Sequence, residues 1–486
     1  MIFNKKENIK LDITKFNEKA VKVDAITGLD KLFATLEHSI TENEYIIING
    51  SMHDYGIEQV VMCFLERYKM FVEYYYVDLG IPDGKHYIKL KYKRQNMDNY
   101  GYTELKTSYT EDYYMNDCGG HEEFVKSNGR VINQRLQDVF NLINPAPNDK
   151  ILDIGCGRGE LTYAIAKSGA NTIGVDYSEA AINIANKTYA GGGMSNLEYI
   201  QKDIFQMENL DSFDKIVMAD IVEHIEQNVL EKILEKVSHS LDKKGILIIH
   251  TSPNKDYYEK TYPEIRKQAA SVGHYLPVNP RSYYEQLMHI NEQSPESLRT
   301  VLEKYFLFSK IWTGTVVDMN LSKTVEESQL DNQIFAYACN DREVMENVTG
   351  EIAKSSEAPK YDLCKIQIET DNFVLLDTGE NYINISLENI GEELITSSKK
   401  YPVYLAYHIL SKSGEMLLPE GERTHIPEFI RTGKKKDMRM KIVIPKDLAA
   451  DVQYIIRLTC VAEGFFWFDM RGENKKDIVV TINNTN

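Results

Sequence analysis

The sequence predicts an α/β protein built on a doubly wound parallel sheet. Two observations carry this: between residues 109 and 340 short β-branched runs alternate with stretches of helical period, and a glycine-spaced turn follows the first run. Beyond Tyr361 short strand-like runs follow one another without helical period, which predicts a C-terminal β-sandwich.

At 486 residues the chain exceeds what one hydrophobic core usually serves, so several domains are expected. Residues 1–108 read as a small α+β domain. It has helices over Leu29–Glu37 and Ile57–Tyr68, strands over Tyr45–Ile48, Phe71–Asp78 and Tyr87–Tyr92, and a turn at Pro82-Asp83-Gly84. The central domain, 109–340, carries strands at Ile151–Ile154, Thr172–Val175, Leu197–Ile200, Lys215–Met218 and Ile246–Ile249. After the fourth of these, Leu230, Ile233, Leu234, Val237 and Leu241 recur at helical spacing, with Gly245 as the expected terminator. Residues 341–360 turn polar and predict a linker. In 361–486 the runs Ile366–Ile368, Ile383–Leu387, Val403–Leu410, Met438–Ile444, Tyr454–Leu458 and Ile478–Ile482 predict an antiparallel sandwich.

Composition narrows the function classes. Hydrophobic residues make up 43% and charged residues 27%, the balance of a folded chain, and the net charge of −17 argues against a phosphate-tracking surface and hence against nucleic acid. The most basic patch, Lys434-Lys435-Lys436, reads as a solvated loop. Six cysteines stand singly without a C-x-x-C pair, no apolar run has membrane length and no leader pattern opens the chain, so a cytoplasmic protein with free thiols is expected.

Ile151-Leu-Asp-Ile-Gly155-Cys-Gly157-Arg-Gly159-Glu160 runs an apolar strand into a turn with glycines at alternate positions. Gly155, Cys156 and Gly157 would let a bound nucleoside lie against bare main chain. Glu160 stands where a dinucleotide pattern wants its third glycine, which weakens a pyrophosphate reading. Asp153 closes the first strand, Asp176 the second and Asp203 the third. Asp176 is the expected ribose ligand, with Tyr177 beside it; Asp203 and Ile204 offer an acceptor and an apolar wall for a base. Asp220, past the fourth strand, completes the expected cofactor set. Any one Asp at a strand end is most often a cap or turn residue, but three at successive strand ends point to a ligand.

These residues resemble motif I of the class I S-adenosylmethionine-dependent methyltransferases, and Asp176 and Asp203 fall where that family's second and third motifs lie. The resemblance implies a Rossmann-like domain with S-adenosylmethionine as methyl donor. A lead-in, Tyr109-Thr-Glu-Asp-Tyr113-Tyr114 and Cys118-Gly119-Gly120-His121, is similar to that of bacterial methyltransferases acting on surface glycans. It implies cofactor contacts from Tyr113, Gly119 and Gly120, against the alternative of core packing and a glycine turn.

A hydroxyl acceptor needs a base, and His224, His250 and Glu223 are the expected catalytic groups. His121 and His289 are weaker candidates for the acceptor pocket, and no metal site is expected. The Tyr-rich segment 257–284 reads as an acceptor lid. The C-terminal region resembles glycan-recognition domains of polysaccharide-processing proteins, with Tyr407, His408, Arg423, Glu463 and Trp467 as a sugar platform. The expected activity is methylation of a sugar, nucleotide-linked sugar or glycan substituent, at oxygen or at nitrogen. The alternative is a glycan-binding or assembly protein whose central domain is not catalytic.

Overall fold

The computed structural model describes the backbone of residues 21–24, 45–49, 72–78 and 85–92, and then residues 109–189, 193–204, 212–271, 276, 280, 281, 285, 288–320, 323–354 and 357–483. The first four segments are strands β1 (Val21–Asp24), β2 (Tyr45–Asn49), β3 (Val72–Asp78) and β4 (Lys85–Tyr92), in one sheet of order β1-β2-β4-β3. The helices expected at 29–37 and 57–68 and the turn at 82–84 lie outside the described residues.

The central domain begins with three helices, α1 (Glu111–Asn116), α2 (His121–Ser127) and α3 (Gln134–Ile143). Then β5 (Lys150–Ile154), α4 (Glu160–Lys167), β6 (Asn171–Asp176), α5 (Glu179–Tyr189), β7 (Leu197–Gln201), β8 (Phe213–Ala219), α6 (Gln227–Ser240) and β9 (Leu241–Thr251) follow. Strands β5 to β9 pair in parallel, each at its expected place. Leu230, Ile233, Leu234 and Val237 of α6 are all buried in a cluster with β5, β8 and β9, so that stripe faces the sheet as its period requires.

Gly245 does not end α6. The helix stops at Ser240 and Leu241 already belongs to β9; a Cβ on Gly245 would lie 2.8 Å from the Phe213 carbonyl oxygen, so glycine there allows β8 and β9 to pass closely.

The sheet is mixed rather than wholly parallel. After helices α7 (Tyr262–Ser271) and α8 (Pro295–Leu302), β10 (Phe308–Thr313) and β11 (Ile334–Cys339) add an antiparallel pair beside β9, giving the order β10-β11-β9-β8-β5-β6-β7. Every residue of β11 is buried, and such an unbroken apolar run carries no alternation to mark it as a strand. The predicted linker is largely helical: α9 (Arg342–Lys354) packs Val344, Met345 and Val348 on the central core, an apolar stripe that the polar composition hid.

The C-terminal region is rich in strands. β12 (Ile366–Glu369), β13 (Phe373–Asp377), β14 (Gly379–Asn389), β15 (Val403–Ser411), β16 (Met416–Leu418), β17 (Lys435–Ile444), β18 (Gln453–Ala462), β19 (Phe466–Trp467) and β20 (Lys475–Asn483) form two sheets, β12-β14-β17 and β13-β20-β18-β15-β16, with β19 on β18. Ile385 and Met440 from one sheet and Leu405, Leu458 and Val480 from the other share one apolar cluster. The pairing is antiparallel except for β13, which runs parallel to β20 and was not anticipated. Of the residues expected to form a sugar platform, His408, Trp467, Arg423 and Glu463 lie together, with Arg423 Nε donating to Glu463 at 3.1 Å, and Tyr407 does not join them. Tyr407 is fully buried, its hydroxyl accepting from Val443 N and donating to Val443 O, and Trp467 lies between His408 and the Arg423 guanidinium. Among the described residues no helix is long and apolar enough to cross a membrane.

Candidate active site

A cavity of about 490 Å³ opens at the carboxyl ends of β5, β6, β7 and β8. Strand order reverses here, with β6 on one side of β5 and β8 on the other, the place where doubly wound sheets bind ligands. Gly155, Cys156, Gly157, Asp176, Tyr177, Asp203, Ile204 and Asp220 line it, together with Tyr113 and Gly119.

The turn after β5 needs its glycines. Gly155 has φ +74° and its Cβ would meet the Ile221 side chain at 2.5 Å; Gly159 has φ +83° and its Cβ would meet the Tyr199 ring at 2.6 Å. Asp176 binds this turn to the end of β6: Oδ2 accepts from Gly157 N (3.0 Å) and Oδ1 from Ser178 N (2.8 Å). Burial pushes its carboxyl up to about 6 against those two N–H donors. Asp153 does not line the cavity. It lies beneath the turn, 2% exposed, accepting from Thr162 Oγ1 at 2.7 Å, with burial raising it to about 7.

The lead-in forms a roof. Thr110 caps α1, accepting from Tyr113 N at 3.2 Å. Arg158, 3% exposed, donates to the carbonyls of Tyr114 (2.6 Å) and Gly119 (2.8 Å), tying the lead-in to the glycine turn. Gly120 is absent from the cavity wall; at φ +80° it begins α2, and a Cβ there would lie 2.3 Å from Asn133 Nδ2. Sequence reasoning missed Tyr109 and Arg135 as wall residues. Tyr109 stands edge-on to Tyr113 and Tyr177, each at 5.6 Å between ring centroids, and to His224 at 6.1 Å. Burial, with Asp176 and Glu223 nearby, raises its hydroxyl well above the usual phenol range. Its place at the head of the Tyr-rich lead-in was the available signal; Arg135 had none.

Across the turn lies the second wall. Asp220, at φ +54°, pairs with Arg135 (2.5 Å) and with His250 Nδ1 (2.7 Å). Burial disfavours its charge, but the Arg135 guanidinium and His250 outweigh that and hold the carboxyl well below its ordinary range. His250 is therefore corrected as a candidate base: fully buried and outside the cavity wall, it sits between Asp220 and Gln333. Glu223 and His224 do line the cavity. Glu223, 1% exposed, accepts from Thr251 Oγ1 at 2.7 Å, and burial followed by the Asp220 charge raises it to about 7. His224 donates from Nδ1 to the Met288 carbonyl (3.2 Å), which leaves Nε2 as an acceptor; burial and His289 lower it to about 3.

His289 also joins the wall, while His121 does not. Burial opposes the charged form of His289, yet Glu292, Glu223 and Glu285 raise it. Its ring centroid is 4.7 Å from that of His224. No metal site is expected from the sequence, yet one donor atom each from Glu223, His224 and His289 lies within 4.8 Å of the others, a set of ligand types that could hold a divalent cation. Of the predicted lid 257–284, Tyr257 and Tyr258 stand beside each other and the Arg281 guanidinium covers the Tyr258 ring.

A family described as "Methyltransferase domain" matches residues 145–338. The chain is 31% identical over 207 residues to a ubiquinone biosynthesis O-methyltransferase of Rickettsia canadensis, covering 42% of this chain and 83% of that one. It is 32% identical over 126 residues to the enzyme of that name from Rickettsia typhi, covering 25% and 50%. The chain spans about half the length of several curated relatives it matches. A TehB-like S-adenosylmethionine-dependent methyltransferase structure from Corynebacterium glutamicum aligns at 17% identity over 47% of this chain and 98% of that one, with a TM-score of 0.30. With a Rossmann-like core that matches the methyltransferase family and a relative covered over most of its length, the chain belongs to the S-adenosylmethionine-dependent methyltransferases.

Proposed function

We propose that this chain moves the methyl group of S-adenosylmethionine to a hydroxyl oxygen of a sugar or glycan substituent. The observation that carries the reading is one cavity with Asp176 and Asp203 on one side of the β5 turn and Glu223, His224 and His289 on the other. Asp176 takes the ribose hydroxyls, Asp203 and Ile204 the adenine, and the bare main chain of Gly155–Gly157 the amino-acid tail. The acceptor oxygen attacks the methyl carbon as the carbon–sulfur bond breaks, and its proton passes to the Glu223 carboxylate. His224, held low, stays neutral and positions the acceptor through Nε2. S-adenosylhomocysteine leaves.

The O-methyltransferases among the relatives support oxygen over nitrogen. The lead-in resemblance supports a glycan, and the alignment with the Rickettsia canadensis relative covers only 42% of this chain, which leaves room for an acceptor different from theirs. The five described cysteines are free thiols, in keeping with a cytoplasmic reaction. Release of S-adenosylhomocysteine on incubation with sugars, nucleotide-linked sugars and surface glycans tests this. Turnover that disappears in Glu223→Gln supports it; turnover with none of these acceptors contradicts it.

A further inference from the structure

Helix α3 meets different partners at its two ends. At its start, Asn133 Oδ1 accepts from Leu136 N at 2.9 Å, Arg135 pairs with Asp220 in the cavity wall, and Leu136 lines the cavity. The lead-in turn lies directly on this end: a Cβ on Gly119 would be 3.1 Å from the Arg135 guanidinium. Six residues along, about 9 Å by helical rise, Asn141 is 1% exposed.

An asparagine inside a helix is a poor helix former, and a buried amide has to be satisfied. Asn141 meets that need in the strand-rich C-terminal region. Its Nδ2 donates to the Pro427 carbonyl at 3.0 Å and its Oδ1 accepts from Phe429 N at 2.9 Å. Arg431 donates to the Asn141 carbonyl at 3.0 Å, one of the last four in the helix, which lack an intrahelical partner. The Phe429 ring is buried in the same apolar cluster as Val139, Leu142 and Ile143 of α3 and Val217 and Ile248 of the sheet.

We propose that the C-terminal region completes the cofactor site: Asn141 is a positioning residue through which segment 427–431 holds α3, and with it Arg135 and the Gly119 turn, over the cavity. Tyr337, donating to the Leu142 carbonyl, and Lys215, donating to that of Asn144, hold the same helix end from the sheet, so loss of the junction loosens the helix without freeing it. The region is then part of the methyl-transfer unit rather than an appended module. The proposal rests on the reading of this cavity as the cofactor site.

The test is calorimetric titration of the full chain with S-adenosylhomocysteine, well below each variant's melting temperature. Asn141→Ala, which removes the two amide bonds to segment 427–431, and Phe429→Leu, which keeps the backbone N–H but thins the ring packing on α3, each weaken binding by about tenfold, the scale of coupling between two sites. The double variant binds little worse than either single, because both loosen the same helix end. Ile456→Val, in the C-terminal core and fully buried, lowers the melting temperature and leaves affinity unchanged. Should Asn141→Ala fail to fold, Phe429→Leu gives the same reading. Junction variants that melt lower yet bind like the wild type overturn the proposal; a wild type that does not bind overturns the cofactor reading and this proposal with it.

Discussion

Arg158 and Glu160 form an ion pair of 2.8 Å on either side of Gly159, with 2% and 7% of their side chains exposed. The guanidinium spends its remaining donors on the lead-in carbonyls of Tyr114 and Gly119, so one buried cation joins the glycine turn to the roof of the cavity. Removing one partner of such a pair strands the other charge.

Arg158→Met should therefore destabilise the protein by roughly 3–5 kcal/mol. It should also weaken S-adenosylhomocysteine binding, because the roof loses its tie. Thermal melting and calorimetry read the two effects; an unchanged melting temperature would contradict this role.

The raised Asp176 carboxyl gives a pH dependence with a definite sign. Its folded value of about 6 exceeds the reference value of 3.8, so the stability linked to its neutral form is present below 3.8 and lost as pH climbs through about 6. On the proposed reading cofactor binding runs the other way, since the ionised form would accept the ribose hydroxyls. Affinity for S-adenosylhomocysteine should rise between about pH 5 and pH 7, a unit either side of that value, and level off above.

Glu223→Gln should lower kcat by about 10²–10⁴-fold, the range of a general base, while cofactor affinity stays close to that of the wild type. With Glu223 raised to about 7, the ionised base accumulates as pH rises through 7 and kcat/KM rises with it. A variant that loses cofactor binding in step with turnover would place Glu223 in the cofactor site instead.

The glycine turn and the carboxylates after it were legible because each strand ends where its cavity-facing residue begins: Asp176 closes β6 and Asp203 follows β7 by two residues. His250 misled for the same reason. It lies in β9 as His224 lies past β8, but alternation along a strand turns successive side chains to opposite faces, and a run as uniformly buried as β9's from Gly245 onward gives no pattern to say which. β11 and α9 were hidden in complementary ways, one by unbroken burial, the other by a polar composition that masked Val344, Met345 and Val348. The Asn141 junction joins residues 286 and 288 positions apart, and no local pattern encodes such a pairing.

Gly159→Ala should cost at least about 1 kcal/mol, because its φ is left-handed and the new Cβ enters the Tyr199 ring. Denaturant unfolding measures it. A neutral or stabilising effect would mean that the turn relaxes more readily than its geometry implies.

The account depends above all on Asp176 holding an adenosyl ligand. Calorimetry of the wild-type chain and of Asp176→Ala against S-adenosylhomocysteine tests it most directly. Loss of two charge-assisted hydrogen bonds should weaken the variant by at least about 100-fold, against one-to-one binding by the wild type. Equal affinity in the two proteins, or none in the wild type, would contradict it.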